Sequence, residues 1–247
     1  MFGRLASLIM ASGYSGSRAT IGQDEQGKIS TTLPTKPPLK ILDLYTGSGC
    51  IALLISHLLR TRYHPHILGI DLDPLAIDLA SENAASLVIP PSRARFMQGD
   101  IIHPRFPDIL RAEGWDQVDL VLANPPYIPL EEYEGLDPSV RGWEGKGALV
   151  GFGRDGLGHY RALARMVRGL VEGKDEDEGR DEGRTRTRSV DEWDLVGLPR
   201  IAVEIGDGQG KEVERIFKDE SEGGFIGRTE CWRDGWGRER LVLGWTR

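Results

Sequence analysis

Leu39-Lys40-Ile41-Leu42-Asp43-Leu44-Tyr45, followed by Thr46-Gly47-Ser48-Gly49 and the run Cys50 to Arg60, is the stretch that decides the fold. Its first part is short and apolar, which reads as a buried strand. The glycines make a tight turn, and Ile51, Leu54, Ile55, Leu58 and Leu59 then recur at helical spacing. Strand, glycine turn and helix form the opening unit of a nucleotide-type α/β fold. Gly47 and Gly49 let the backbone approach a ligand closely, and the free N–H groups of a helix start favour a carboxylate or phosphate. The turn is not Gly-x-Gly-x-x-Gly, so by itself it is weak.

The units that follow strengthen it. His66-Ile67-Leu68-Gly69-Ile70-Asp71 reads as a second strand ending in an acid, placed to accept hydrogen bonds from a ribose diol. Asp73 precedes Pro74, a pair that caps and opens a helix, with Ala76, Ile77, Leu79 and Ala80 on its buried side. Arg93 to Gln98 is a third strand closed by Gly99-Asp100; that acid can accept from an adenine amino group, with Ile101 covering the ring. The run Gln117 to Ala123 is a fourth strand, and it ends in Asn124-Pro125-Pro126-Tyr127. Two prolines fix two φ angles and remove two N–H donors, which leaves carbonyl acceptors without competing donors. Asn124 adds an amide oxygen and Tyr127 a flat face, so the loop suits a planar –NH2 group. Such a tetrapeptide is often only a turn, but ligands of α/β sheets bind beyond the carboxyl ends of the strands.

Residues 128–158 are glycine-rich and read as a functional lid, and His159 to Val171 as a helix. Residues 172–190 hold twelve charged residues and one apolar one, Val190, a composition that predicts disorder. Leu198 to Ile205 is a fifth strand, and a helix runs from Gly210 to Lys218. Phe225 to Trp232 and Glu239 to Trp245 have only a short separator and predict an antiparallel hairpin. The expected fold is α/β: a Rossmann-like seven-stranded sheet over residues 39–247, ending in that hairpin. Residues 1–23 carry Arg4, Arg18 and several serines with no acid before Asp24. They read either as a mitochondrial presequence or as a short remnant helix, Gly3 to Met10. Residues 24–38 read as a polar, proline-rich linker, completing an N-terminal segment of residues 1–38.

A formal charge of −7 argues against a chain that grips a nucleic-acid backbone. Cys50 and Cys231 are too few and too far apart for a disulfide framework or a zinc site. His64 and His66 flank a proline without a third ligand nearby, so no metal is expected. No apolar run reaches the length needed to span a bilayer.

Asp43-x-x-Thr46-Gly47-Ser48-Gly49, Asp71, Gly99-Asp100 and Asn124-Pro125-Pro126-Tyr127, in this order, resemble the class I S-adenosylmethionine-dependent methyltransferases of the amino-group branch. Three further stretches narrow the resemblance. They are Val140-Arg141 with Glu144, Ala148-Leu149, Asp155-Gly156-Leu157 and Tyr160-Arg161; Glu204-Ile205-Gly206 with Gln209-Gly210; and Asp234 with Gly237-Arg238-Glu239-Arg240. Together they are similar to the HemK/PrmC family, which methylates the glutamine of the Gly-Gly-Gln motif in peptide-chain release factors. The resemblance covers roughly residues 39–247 apart from the charged insert, and the family's N-terminal helical domain has no counterpart in it. Tyr45 stands where the family often has glycine. The resemblance implies S-adenosylmethionine as cofactor, held by Asp43, Tyr45, Thr46, Gly47, Ser48, Gly49, Asp71, Asp100, Ile101 and Asn124. It implies catalysis by Asn124, Pro125, Pro126 and Tyr127 on a release factor in mitochondria, or alternatively in the cytoplasm. The rivals are an adenine-N(6) or other amino-group methyltransferase, a nicotinamide-dependent oxidoreductase, and a non-catalytic partner subunit that keeps the cofactor fold. No target-recognition domain or basic stripe supports a DNA enzyme. The missing third glycine counts against the oxidoreductase.

Overall fold

The computed structural model describes residues 1–11, 20–23, 29–32, 38–61, 63–171, 197–222 and 224–246. The charged stretch 172–190, expected to be disordered, lies outside them. Helix α1 (Phe2–Ala11) opens the chain, and β1 (Thr20–Gln23) pairs antiparallel with β2 (Ile29–Thr32). Part of the expected linker is therefore a strand.

The central sheet is built from β3 (Lys40–Leu44), β4 (His66–Asp71), β5 (Ala94–Gln98), β6 (Leu120–Ala123), β7 (Ile201–Glu204), β8 (Ile226–Arg233) and β9 (Glu239–Thr246). Its order is β5-β4-β3-β6-β7-β9-β8. The first five strands are parallel, while β9 runs antiparallel between β7 and β8. The seven strands and the terminal hairpin match the sequence expectation. The insertion of the last strand beside β7 is new, and it makes β8 the edge.

Alternation along β3 sends successive side chains to opposite faces. Ile41 packs beneath helix α2 (Cys50–Leu59), with Leu53, Ile55 and Leu59. Leu42 and Leu44 join the other layer, formed by α4 (Phe106–Ala112), α8 (Gly158–Val171) and α9 (Gly210–Lys218). Two helix faces differ from the periodic reading. Leu54 on α2 and Leu79 on α3 (Pro74–Ser86) are exposed. The small residues Ala52, Ser56, Ala80 and Ala84 occupy the buried faces instead, letting both helices lie close to the sheet. The stretch 128–158, expected to be a functional lid, carries regular structure. It folds as α5 (Leu130–Tyr133), α6 (Pro138–Trp143) and α7 (Lys146–Leu149), none with a buried residue.

Helix α1 buries Phe2, Leu5, Ala6 and Ile9 in the α2 layer, beside Leu39, Trp232 and Trp245. The Tyr63 hydroxyl donates to the Ile9 carbonyl at 3.0 Å, and the Arg4 guanidinium lies 4.3 Å from the Trp232 ring centroid. Leu5 is fully buried. Leu5→Ala is therefore expected to cost about 2 kcal/mol in denaturant unfolding. An unchanged midpoint would mean that α1 is not docked on the domain in solution.

Candidate active site

The strand order brings four predicted tips side by side: Asp100 after β5, Asp71 at the end of β4, the glycine loop after β3 and Asn124 after β6. Asn124 N donates to the Leu44 carbonyl at 3.3 Å, which joins the last two tips directly. Gly47 has φ +54° and Gly49 φ +75°, backbone that disfavours side-chain-bearing residues. A Cβ on Gly49 would lie 2.9 Å from the Phe96 ring; one on Gly47 would meet nothing within 4 Å. The loop thus rests on Phe96 and opens upward at Gly47. Asn83 Nδ2 donates to the Ser48 carbonyl at 2.9 Å and steadies it from α3.

Asp71 is part of this cradle. Its Oδ2 accepts from Gly47 N at 2.8 Å, and its Oδ1 from Asp73 N at 3.1 Å. Each carboxylate oxygen still has a lone pair for a diol. Asp73, not Asp71, caps α3, accepting from Leu75 N at 2.9 Å. Asp100 is exposed, with Oδ1 accepting from Ile102 N at 3.1 Å.

Three predicted cofactor residues turn inward instead. Asp43 is fully buried beneath the loop, accepting from the Thr46 hydroxyl at 2.6 Å, and Thr46 is itself buried. Their side chains shape the loop and do not line its open surface. Ile101 is buried in the core layer with Phe106 and Leu110. Alternation explains Asp43: it shares the α2 side of β3 with Ile41.

Burial pushes the Asp43 carboxyl up to about 7, against the lowering effects of the Thr46 hydroxyl and the Ala52 N–H. A carboxyl raised in the folded state is stabilising while protonated. That contribution is complete below about pH 4 and fades as pH rises through about 7. Asp43→Asn keeps an acceptor for Thr46 but cannot ionise. Its stability should therefore fall less than wild type between pH 5 and pH 8 in thermal melts. Parallel pH profiles would contradict the assignment.

On the acceptor side, Asn124 is exposed, Pro125 and Pro126 are buried, and Tyr127 is half-buried. Not all the loop carbonyls are free, as the sequence had implied. The Tyr127 carbonyl accepts from Gln209 Nε2 at 2.9 Å, and that of Ile128 from Gly151 N at 3.0 Å. Among the described residues none donates to the Pro125 carbonyl or hydrogen bonds to the Asn124 side chain. The Asn124 amide oxygen and the Pro125 carbonyl are therefore open acceptors. Gln209 Oε1 also accepts from Gly206 N at 2.9 Å, and a Cβ on Gly206 would lie 3.2 Å from the Tyr127 ring. The turn after β7 thereby clamps Tyr127. Burial, with Glu204 nearby, raises the Tyr127 hydroxyl pKa, so the ring is neutral at pH 7.

Tyr45 has φ +59°, the left-handed region that explains glycine at this position in the resembled family. Its hydroxyl lies 2.9 Å from His159 Nδ1, and the rings meet edge to face, centroids 5.2 Å apart. From sequence neither His159 nor Gln209 had a role in the site, although Gln209-Gly210 stands in one of the stretches that carry the resemblance. Gln209 had a signal, its place in a glycine turn at a strand end; His159 had none. Among the described residues no group of three or more His, Cys, Asp or Glu side chains is placed to hold a metal ion. None of the described helices is long and apolar enough to cross a membrane.

A glycine loop and acid-tipped parallel strands, with a reversed last strand beside β7, make this the class I methyltransferase fold. Human methyltransferase 10 domain containing protein shares it, with a TM-score of 0.50 at 13% identity over 98% of this chain and 81% of that one. No family profile matches the sequence. By sequence the chain is a relative of the release factor glutamine methyltransferases. It is 40% identical to that of Cereibacter sphaeroides over 147 residues, 58% of this chain and 46% of the relative. The Rhodospirillum rubrum protein is 34% identical over 204 residues, 83% of this chain and 50% of its own. That of Caulobacter vibrioides is 35% identical over 192 residues, 77% and 53% of the two chains. The chain spans about half the length of these curated relatives.

Proposed function

We propose that this chain transfers a methyl group from S-adenosylmethionine to the side-chain amide nitrogen of a protein glutamine, that of the Gly-Gly-Gln motif in a peptide-chain release factor. The observation that carries the reading is the junction of β3 and β6. There the glycine cradle and the two open acceptors of Asn124 and Pro125 stand on neighbouring strands, joined through Leu44. The residues fit the cofactor: Gly47 leaves open space over the loop, and Asp71 keeps acceptor capacity beside it. S-adenosylmethionine supplies an electrophilic methyl group on a sulfonium.

An amide nitrogen is a poor nucleophile because its lone pair is delocalised into the carbonyl. Asn124 Oδ1 and the Pro125 carbonyl accept its two N–H protons, which draws the lone pair back to nitrogen and aims it. Fixed dipoles of this kind act most strongly where water is excluded. Tyr127, clamped by Gln209, offers its ring to the face of the amide. Holding the two reactants together supplies a proximity effect of up to about 7–11 kcal/mol in the best-oriented cases. The proton lost from nitrogen leaves to water. The acid-free composition of residues 1–23 supports a mitochondrial setting, with the cytoplasm as the alternative. Labelled methyl transfer to a purified release factor, compared with a Gly-Gly-Ala variant of that factor, tests the substrate. Equal labelling of both would reject the glutamine.

A further inference from the structure

We infer that His159 is a positioning residue for the cofactor pocket, acting through Tyr45, and that the pair forms the pocket wall on the α8 side. This rests on the S-adenosylmethionine reading above and deepens it.

Tyr45, Asp71 and Asp100 stand at the ends of the consecutive strands β3, β4 and β5. The charges of Asp71 and Asp100 both act on the Tyr45 hydroxyl, and that of Asp100 also on the His159 ring. Tyr45 stands directly before the glycine loop that follows β3, so the pair borders the row of tips on which the cofactor would lie. Side-chain direction gives the wall its face. Tyr45 packs against the layer of α4, α8 and α9, opposite α2.

His159 reaches Tyr45 from the second position of α8, and α8 is firmly placed. Tyr160 is fully buried, and its hydroxyl donates to the Glu204 carbonyl at 2.8 Å. On its other side the His159 ring meets Phe152 edge to face, centroids 4.6 Å apart. Burial holds the imidazole down to about 4, so at pH 7 it is neutral, and with its proton on Nε2 the Nδ1 accepts from the Tyr45 hydroxyl. Backbone strain gives this bond a job. A tyrosine in left-handed φ costs energy that glycine does not. Side-chain contacts therefore have to hold the loop in this shape, and among the described residues the bond to His159 is the polar contact that ties Tyr45 to α8. The same helix follows the turn Gly151–Gly156, which packs on the Pro126 and Tyr127 backbone. One bond thus links the cofactor loop to the return of the acceptor loop.

The test is calorimetric titration of the full chain with S-adenosylmethionine, with thermal melts on every variant. Wild-type binding checks the cofactor reading itself, and its absence would reject that reading before any variant is compared. Given binding, Tyr45→Phe keeps the ring and loses the bond, while His159→Leu loses the acceptor. Each should weaken affinity about five- to tenfold, and the double variant no further, because both remove one interaction. His159→Asn puts an acceptor near the Nδ1 position and should recover most of the loss. Wild-type affinity in both single variants would overturn the proposal, even with lowered melting temperatures, since the bond would then be structural only. Losses that add in the double variant would overturn it too. So would a loss confined to Tyr45→Phe, which would mean that the hydroxyl contacts the cofactor without His159.

Discussion

Asn124→Ala is expected to lower single-turnover methyl transfer roughly 10²- to 10³-fold, by analogy with the loss of one fixed oxyanion-hole donor. The side chain is exposed beyond the end of β6, and among the described residues nothing hydrogen bonds to it, so truncation costs the fold no hydrogen bond. The expected damage falls on one group: the target nitrogen keeps a single acceptor, the Pro125 carbonyl, and its lone pair returns to the amide. Cofactor affinity should change little by comparison. Asn124→Asp is the sharper variant. It keeps an oxygen in place but brings a negative charge beside a sulfonium, which favours the ground state. It too should be slow, while binding the cofactor at least as well. Near-normal transfer by Asn124→Ala would reduce the loop to a turn.

Asp71→Ala should have the opposite profile, weakening S-adenosylmethionine binding by roughly 2–3 kcal/mol through lost charge-assisted hydrogen bonds. The structure adds a second reason for a large effect. Asp71 also holds the Gly47 amide at 2.8 Å, so its loss loosens the loop as well as the diol site. Asp71→Asn separates the two, since the amide oxygen can still accept from Gly47 while the charge is gone. An intermediate affinity for Asp71→Asn is expected. Calorimetry showing full affinity in Asp71→Ala would remove the diol role.

Much of this site was legible because strands end where apolar runs end, and a parallel sheet lines up its carboxyl ends. Asp71, Asp100, the glycine loop and Asn124 could therefore be placed on one edge from sequence alone. Tyr45 could be flagged because the resembled family often has glycine there, the residue that accepts left-handed φ without strain. What stayed hidden was non-local or depended on facing. Nothing in the sequence near His159 points to Tyr45, since the two are 114 positions apart, and Gln209 clamps Tyr127 across 82. Asp43 looked like a site residue because it stands in the motif, yet alternation along β3 turns it under α2. The docking of α1 was hidden as well. The Trp232 and Trp245 surface that receives its four buried residues comes from the other end of the chain.

The most direct measurement incubates the chain with S-adenosylmethionine and a purified release factor, then maps the product by peptide mass spectrometry. The account predicts a gain of one CH2 group on the peptide carrying Gly-Gly-Gln, assigned by fragmentation to the glutamine side chain and absent with Asn124→Ala. An unmodified Gly-Gly-Gln peptide, from a chain shown by calorimetry to bind S-adenosylmethionine, would contradict it.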